Sequence, residues 1–589
     1  MRNILCALNA KYIHSNLAVH YLKEYARFYL GERKYGNVND NDFPQPRKIE
    51  ILIEEYSINQ HFNEIMADIY QKKPDRLFFS CYIWNVSMIL ELVVDLKKVL
   101  PSCDIWLGGP EVSFDSVGLL KGYHQLKGIV IGEGEQAFTK IIGNVRLDEI
   151  AGITYRDSQS QIIGSDGNNC YDKLTATWRK NETTMDKIPF PYKDMEKFKN
   201  KIVYYESSRG CPFSCSYCLS SVAMGVQFRS IELVKQELKY FIDSSVKQVK
   251  FVDRTFNCNN KRAREIWDFI HKSDRGKTDF HMEIAADLLG DKDFEILKKL
   301  RPGLIQFEIG VQSTNVETLI EINREMIFSA VAKSVGKIKS FGNIHLHLDL
   351  IAGLPKEDYQ SFANSFNEVY ALKPDKLQLG FLKVLNGSVM KEKVESYKLI
   401  YQEKAPYEVL STAWLTYLEI LCLKRVEEMV EVYYNSGQFE NTLTYLEQFF
   451  ESPFKIFESL GDYYLSTNQL NLSHSRQRRY EILMAFVSSI GMNICEKRFR
   501  QMLIFDYYLK ENAKKRPEFA GEETVRKEEA EEFYSKEMND FNFLKGYESF
   551  NKRKMRNMTH LEKTEEGLYL FDYHNWDASN KQAKVYKVK

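Results

Sequence analysis

Residues Tyr204 to Ser221 read YYESSRGCPFSCSYCLSS, and they decide the fold. Three cysteines, Cys211, Cys215 and Cys218, stand in a C-x3-C-x2-C spacing straight after the apolar, β-prone run Ile202–Tyr205. A structural zinc site takes four ligands in a closed tetrahedron. No nearby CxxC or HxxxH pair supplies the rest, although a distant histidine could complete a Cys3His set. A 4Fe–4S cluster is normally held by four thiolates. Three thiolates leave one iron with an open coordination position, and an open position is what chemistry needs.

The other seven of the ten cysteines, Cys6, Cys81, Cys103, Cys170, Cys258, Cys422 and Cys495, are scattered singly and read as small apolar core residues. The apolar part of MRNILCALNAKYIHS is too short for a signal peptide. No run approaches the roughly 18–20 apolar residues of a membrane span. A soluble, cytoplasmic protein with reduced thiols is expected, without membrane contact or a disulfide framework. Acidic and basic residues balance at 81 each, so the strongly basic footprint of a nucleic-acid protein is missing. With 589 residues there is room for three or four domains.

Working outward toward the N-terminus, residues 1–150 alternate strand-like runs with amphipathic stretches. NILCAL (Asn3–Leu8), KIEILIEEY (Lys48–Tyr56), RLFFSCY (Arg76–Tyr82), DIWLGGPE (Asp104–Glu111) and GIVIGEGE (Gly128–Glu135) read as strands. This alternation predicts a doubly wound, Rossmann-like parallel sheet. Ligands on such sheets bind beyond the carboxyl ends of the strands. Here those ends carry Ser80, Gly108, Gly109, Gly132 and Gly134, which suit either close approach to a large ligand or tight turns. A β-like GITYRDSQSQIIG and the proline-punctuated DKIPFPYKDME form a connecting segment, residues 151–196.

Toward the C-terminus, KIVYYES, QVKFVDRTF, FHMEIAAD, LIQFEIGVQS, HLHLDLIAGL and KLQLGFLKV predict six strands between residues 197 and 400. Six βα units of this length suit a partial (β/α)6 barrel, whose chemistry sits at the C-terminal ends of its strands. Those ends hold Cys211, Asp253, Asp287, Glu308, Gln312, Asp349 and Lys383. Residues 401–589 predict a mostly α-helical domain that ends in a hairpin, GLYLFDYHNW to KQAKVYKVK.

RGCPFSCSYC, placed after the first barrel strand, resembles the signature of the radical S-adenosylmethionine (SAM) enzymes. The resemblance implies a 4Fe–4S cluster on Cys211, Cys215 and Cys218, with SAM on the open iron. Cleavage of SAM would yield a 5′-deoxyadenosyl radical. EIGVQS and DLIAGLP resemble the fourth- and fifth-strand segments that flank SAM, and FVDRTFN the second. Tyr217, Asp253, Glu308, Gln312 and Asp349 are thereby implied as cofactor-binding, although each carboxylate could instead cap a helix or pair with an arginine.

The N-terminal domain with GGPEVS and GEGEQAF, followed by such a core, is similar to the cobalamin-binding branch of that family. Its C-terminal domain is one of unknown function. The resemblance implies cobalamin at Ser80, Trp84, Asn85, Gly108, Gly109, Gly132 and Gly134. The D-x-H-x-x-G loop of many cobalamin domains is missing, because His14, His20, His61 and His124 lack its flanking residues. The SCYIWN loop (Ser80–Asn85) is then the place to look beside cobalt, unless Trp84 is core packing.

The implied reaction is methyl transfer to an unactivated carbon, with an electron donor such as flavodoxin or ferredoxin. The substrate class, whether small molecule, peptide or RNA, stays open. Lys552, Arg553, Lys554 and Arg556 are either a phosphate-binding group or a solvated helix face. A radical SAM enzyme with a vestigial first domain, catalysing rearrangement, ring formation or methylthio transfer, and a zinc-stabilised scaffold are the competing readings. No residue is assigned a catalytic role from sequence.

Overall fold

The computed structural model describes residues 1–32, 49–164, 184–221, 225–491, 493–522, 524–577 and 582–589; Cys170 lies outside them. The chain divides into two compact units, Met1–Asp358 with Gly380–Thr416, and Tyr359–Leu379 with Tyr417–Lys589.

In the first unit, β1 (Arg2–Asn9), β2 (Glu50–Ser57), β3 (Arg76–Ser80), β4 (Asp104–Gly108) and β5 (Leu126–Val130) lie parallel. The order is β2-β1-β3-β4-β5, continued by antiparallel β6 (Ile153–Arg156) and β7 (Ile162–Gly164). Strands covered on both faces must be apolar throughout, and Ile4 to Leu8 are all at most 1% exposed. One face packs Ile4, Cys6, Leu77 and Phe79 against Ile89, Leu92 and Val93 of the helix Val86–Val99. The other packs Leu5, Phe78 and Trp106 against Phe138 and Ile141. The predicted strand GIVIGEGE stops at Val130. Gly132 and Gly134 turn the chain, and Glu135 opens a helix to Ile142.

The second sheet runs β8 (Val203–Tyr205), β11 (Gln248–Phe251), β12 (Asp279–Glu283), β13 (Ile305–Gln312), β14 (His345–Ala352) and β15 (Lys376–Phe381), each beside the next. Its pairings from β8 to β14 are parallel. β13 alternates buried and half-buried residues, sending Phe307, Ile309 and Val311 outward and Glu308, Gly310 and Gln312 inward. Between β8 and β11 a ladder unforeseen from sequence appears. β9 (Ser208–Cys211) pairs antiparallel with β10 (Gly225–Phe228); Cys211 ends β9, and Cys215 and Cys218 follow on the loop after it.

The segment before the barrel is pinned to it. Arg229 Nη1 donates to the carbonyls of Met185 and Ile188, and its Nη2 meets buried Glu237 at 2.6 Å. After the barrel, β16 (Ile400–Tyr401) and β17 (Val409–Ser411) form a small ladder, so helix does not begin until Tyr417.

The second unit is mostly helical, as expected. Its buried Asp506 accepts hydrogen bonds from the backbone and side chains of Asn441 and Thr442. The expected terminal hairpin is a three-stranded antiparallel sheet of β18 (Thr559–Thr564), β19 (Gly567–Asp577) and β20 (Gln582–Lys587). The polar THLEKT run had hidden its first strand. Lys552 and Arg556 pair with Glu531, and Lys554 lies over the Phe550 ring. No helix among the described residues is long and apolar enough to cross a membrane.

Candidate active site

The cysteine loop leaves β9 at Cys211 and is tied down on both sides. Ser216 N–H donates to the Ile322 carbonyl, and the Ser216 carbonyl accepts from Met390 N–H. None of the three cysteines is in a disulfide. Arg324, half-buried, aims Nη1 at Cys215 Sγ (3.7 Å) and at the Tyr217 hydroxyl (3.4 Å), while its Nη2 donates to the Gly310 carbonyl. Burial pushes the Cys215 thiol up, and the Arg324 guanidinium opposes that rise. Cys218 Sγ accepts from Ser220 N–H at 3.4 Å, and Cys211 Sγ lies 3.6 Å from Thr255 Oγ1.

Asp253 sits directly beneath this loop, 1% exposed. Its Oδ1 accepts from Ser207 N–H (2.8 Å), and its Oδ2 from the hydroxyls of Ser207 and Ser208 (2.6 Å each). Burial pushes this carboxyl up to about 6 against those donors. With both oxygens committed, Asp253 positions the strand-to-loop junction.

Gln312 stands at a bulge between β13 and β14 with φ 72, strained backbone for a residue other than glycine. Its buried Oε1 has no hydrogen-bond partner, nor has the buried Ser216 Oγ in the cysteine loop. These orphaned polar atoms beside three thiols suit a polar ligand on an iron–sulfur cluster. The donor set therefore fits both the cluster and SAM.

Lower in the barrel, inward-facing Lys250, His281, Glu283, Glu308, His347 and Asp349 form a charged lumen. Glu308 Oε2 lies 2.8 Å from His281 Nε2 and 3.2 Å from Lys250 Nζ, and Asp349 Oδ1 lies 3.0 Å from His347 Nε2. Burial pushes Glu283 up to about 7, Arg254 opposing and Glu308 adding to the rise. Asp287, half-buried in the short turn Ala286–Leu288, is near enough to act on Arg324. Lys383 is exposed, and its backbone forms an isolated antiparallel β-bridge with Glu408.

The carboxyl edge of the first sheet meets this mouth. Arg209, two residues before Cys211, holds Glu133 (3.1 Å) and Glu135 (3.0 Å) after β5, and Glu206 (2.8 Å) after β8. Glu111, after β4, accepts from the Tyr407 hydroxyl. A Cβ on Gly387 would sit 2.1 Å from the Phe114 ring, so glycine permits that approach.

Along this edge the SCYIWN loop is held by Asn85. Its Nδ2 donates to the carbonyls of Leu8 and Ser80, and its Oδ1 accepts from Tyr82 N–H. Ser80 Oγ accepts from Asn16. Trp84 is not core: it is 45% exposed and stacks on Tyr82 at 4.4 Å, 6° from parallel. An exposed aromatic stack at the carboxyl edge suits a flat macrocycle such as a corrin ring.

The glycines surround the same edge. Gly109 has φ 118, and a Cβ there would meet the Cys81 carbonyl oxygen at 2.4 Å. Gly108 ends β4, Gly132 N–H donates to Ser113 Oγ, and Gly134 caps the helix beginning at Glu135. His14 contacts the Tyr204 hydroxyl through Nδ1 at 2.6 Å, and His20 is 3.5 Å from Glu55; His61 and His124 are exposed.

Sequence reasoning missed Arg209, Arg324 and Cys258. Arg209 opens the quoted RGCPFSCSYC stretch without a role being read for it, and Arg324 lies in no motif quoted above. Cys258 is half-buried and close enough to Cys211 for their charges to interact, rather than a core residue. Cys6, Cys81 and Cys103 are buried as expected, whereas Cys422 is half-buried and Cys495 exposed.

Three family models tile the chain: B12 binding domain over residues 5–142, Radical SAM superfamily over 205–369, and Protein of unknown function (DUF4080) over 395–587. The chain thus joins a match to a B12 binding domain, a match to the radical SAM superfamily and a match to a domain of unknown function.

Relatives of this chain include the cobalamin-dependent radical SAM methyltransferase TokK of Streptomyces tokunonensis. The two are 24% identical over 350 residues, 57% of this chain and 51% of TokK. The hopanoid C-3 methylase of Methylococcus capsulatus is 24% identical over 331 residues, 53% of this chain and 59% of the methylase. The chain thus spans about half the length of the curated relatives it matches.

Two solved structures share its fold. TsrM from Kitasatospora setae, a radical SAM methyltransferase with cobalamin and a 4Fe–4S cluster bound, superposes with TM-score 0.52 at 13% identity. The match covers 69% of this chain and 76% of TsrM. OxsB, a cobalamin-dependent SAM radical enzyme with aqua-cobalamin and SAM bound, gives TM-score 0.55 at 14% identity, covering 85% and 78%.

Proposed function

We propose that this protein is a cobalamin-dependent radical SAM enzyme that transfers a methyl group to an unactivated carbon. One observation carries the reading: Arg209, on the strand that ends at Cys211, is ion-paired to Glu133 and Glu135 at the carboxyl edge of the first sheet. That contact sets the three-thiol loop against the edge where a doubly wound domain takes its ligand.

Cys211, Cys215 and Cys218 hold the cluster, and the orphaned Gln312 and Ser216 oxygens receive polar groups of SAM. Tyr82 and Trp84 give the corrin an aromatic surface. When bound, the cluster with SAM supplies a hydrogen-abstracting radical, and cobalamin supplies the methyl group. The protein's share is orientation and exclusion of water. Arg324 sets a half-buried positive charge beside Cys215, and the Asp253–Ser207–Ser208 network fixes the loop. An electron donor of flavodoxin or ferredoxin type and a substrate admitted through the barrel complete the system.

Mass spectrometry after anaerobic incubation of the reconstituted protein with SAM and a reductant tests the activity. 5′-Deoxyadenosine forms with wild type and disappears in Cys211→Ala, Cys215→Ala and Cys218→Ala. Failure to assemble an iron–sulfur cluster sinks the reading. Protein incubated with hydroxocobalamin and desalted keeps the cobalamin absorption bands; a bare iron–sulfur shoulder leaves a radical SAM enzyme but removes cobalamin.

A further inference from the structure

The barrel lumen contains four side chains whose arrangement the ion pairs alone do not explain. His281 Nε2 is 2.8 Å from Glu308 Oε2, and His347 Nε2 is 3.0 Å from Asp349 Oδ1. Both contacts are close, yet neither has the alignment of a hydrogen bond. His281 Nε2, His347 Nε2 and Asp349 Oδ1 are all buried with no hydrogen-bond partner. The two histidines are 8% and 6% exposed. Leaving buried polar groups unpaired is costly, so a native barrel has reason to satisfy them.

Donor atoms that crowd together without pointing at one another are what a coordination shell looks like. Ligands held ~2.1 Å from an ion at right or tetrahedral angles lie about 3.0–3.4 Å apart, each lone pair aimed at the ion. One ligand atom each from Glu308, His347 and Asp349 falls within 4.8 Å of the others. Strand geometry explains the convergence. His347 and Asp349 are two apart on β14 and share its inner face, and Glu308 of β13 is in register with His347.

We propose that Glu308, His347 and Asp349 bind a divalent first-row transition ion inside the barrel. One imidazole and two carboxylates are nitrogen and oxygen donors, the set that takes Mn(II), Fe(II) or Zn(II) and not a soft ion. Three protein ligands leave coordination positions for water or for an oxygen donor. Lys250, 3.2 Å from Glu308 Oε2, balances the negative charge. The site is separate from the cysteines, and it gives Glu308 and Asp349 a different task from the SAM contact their sequence segments imply.

That the ion would grip a hydroxyl, carboxylate or phosphate oxygen of the substrate rests on the function proposed above. The binding of the ion does not.

The test is titration of the cluster-loaded full chain with Mn(II), a metal thiolates hold weakly, followed by electron paramagnetic resonance. One Mn(II) per chain is expected, displaceable by Zn(II). His347→Gln and Asp349→Asn each lose it, at least ten-fold in affinity, while cluster absorbance and far-UV circular dichroism stay those of wild type. A wild-type chain that takes up neither Mn(II) nor, by equilibrium dialysis, Zn(II) overturns the site. So does undiminished stoichiometry in both variants. Because no turnover is measured, failure here leaves the radical SAM reading standing, and failure of that reading leaves the ion site measurable.

Discussion

Arg209 Nη2 lies 3.0 Å from Glu135 Oε1, joining the cysteine-bearing strand to the first turn of the helix that follows β5. The same guanidinium also holds Glu133 and Glu206, so three carboxylates converge on one cation. Removing one partner of a fully buried pair costs roughly 3–5 kcal/mol, and the partial exposure of Glu133 lessens that here. Arg209→Met should lower the melting temperature of the protein and weaken its retention of cobalamin, with Arg209→Lys intermediate. Unchanged melting and retention in Arg209→Met would show that the contact does not organise the mouth.

Asp253 makes stability depend on pH in a defined direction. Its folded carboxyl titrates at about 6, above the ordinary ~3.9 of the unfolded chain. Its contribution is therefore fully present below pH ~4, falls as pH rises, and levels off above pH ~6. Two units correspond to about 3 kcal/mol at most. In Asp253→Asn the carbonyl still accepts from Ser207 N–H, and the serine hydroxyls can turn to accept from the amide. That variant should fold and lose this slope, as read by urea unfolding between pH 4 and 7. Asp253→Ala leaves three donors unpaired and should lose cluster occupancy.

Arg324 places its charge against the ligand Cys215. Taking a cation away from a cluster disfavours the added electron, so Arg324→Ala should shift the reduction potential negative. Arg324→Lys should recover part of the shift but not the donation to the Gly310 carbonyl. Redox titration of the reconstituted variants reads this directly, and a potential identical to wild type in Arg324→Ala contradicts it.

Trp84 separates binding from stability. Its exposed stack on Tyr82 is worth about 0.5–1.5 kcal/mol, so Trp84→Ala should barely change melting. A similar loss against a bound ring means roughly two- to ten-fold weaker cobalamin retention, checked by equilibrium titration with hydroxocobalamin. Retention equal to wild type removes Trp84 from the corrin surface.

Much of this arrangement was legible in the chain, because its signals are local. The apolar runs of β1, β3, β4 and β5 can be satisfied only by burial on both faces. The C-x3-C-x2-C spacing places three thiols on one short loop without help from elsewhere. Where the local signal is weak the reading erred. THLEKT is too polar to announce a strand, and Trp84, apolar but exposed, looked like core.

Sequence alone determined which residues bring sulfur, where the two parallel sheets begin, and which faces of their strands are apolar, since periodicity and spacing are properties of neighbours along the chain. Only the tertiary structure decided which charge meets which. Arg209 reaches Glu135 across 74 residues and Arg324 reaches Cys215 across 109. His347 comes to Glu308 through strand register. An electrostatic or coordinating contact depends on distance in space, and no periodicity in a sequence encodes that distance.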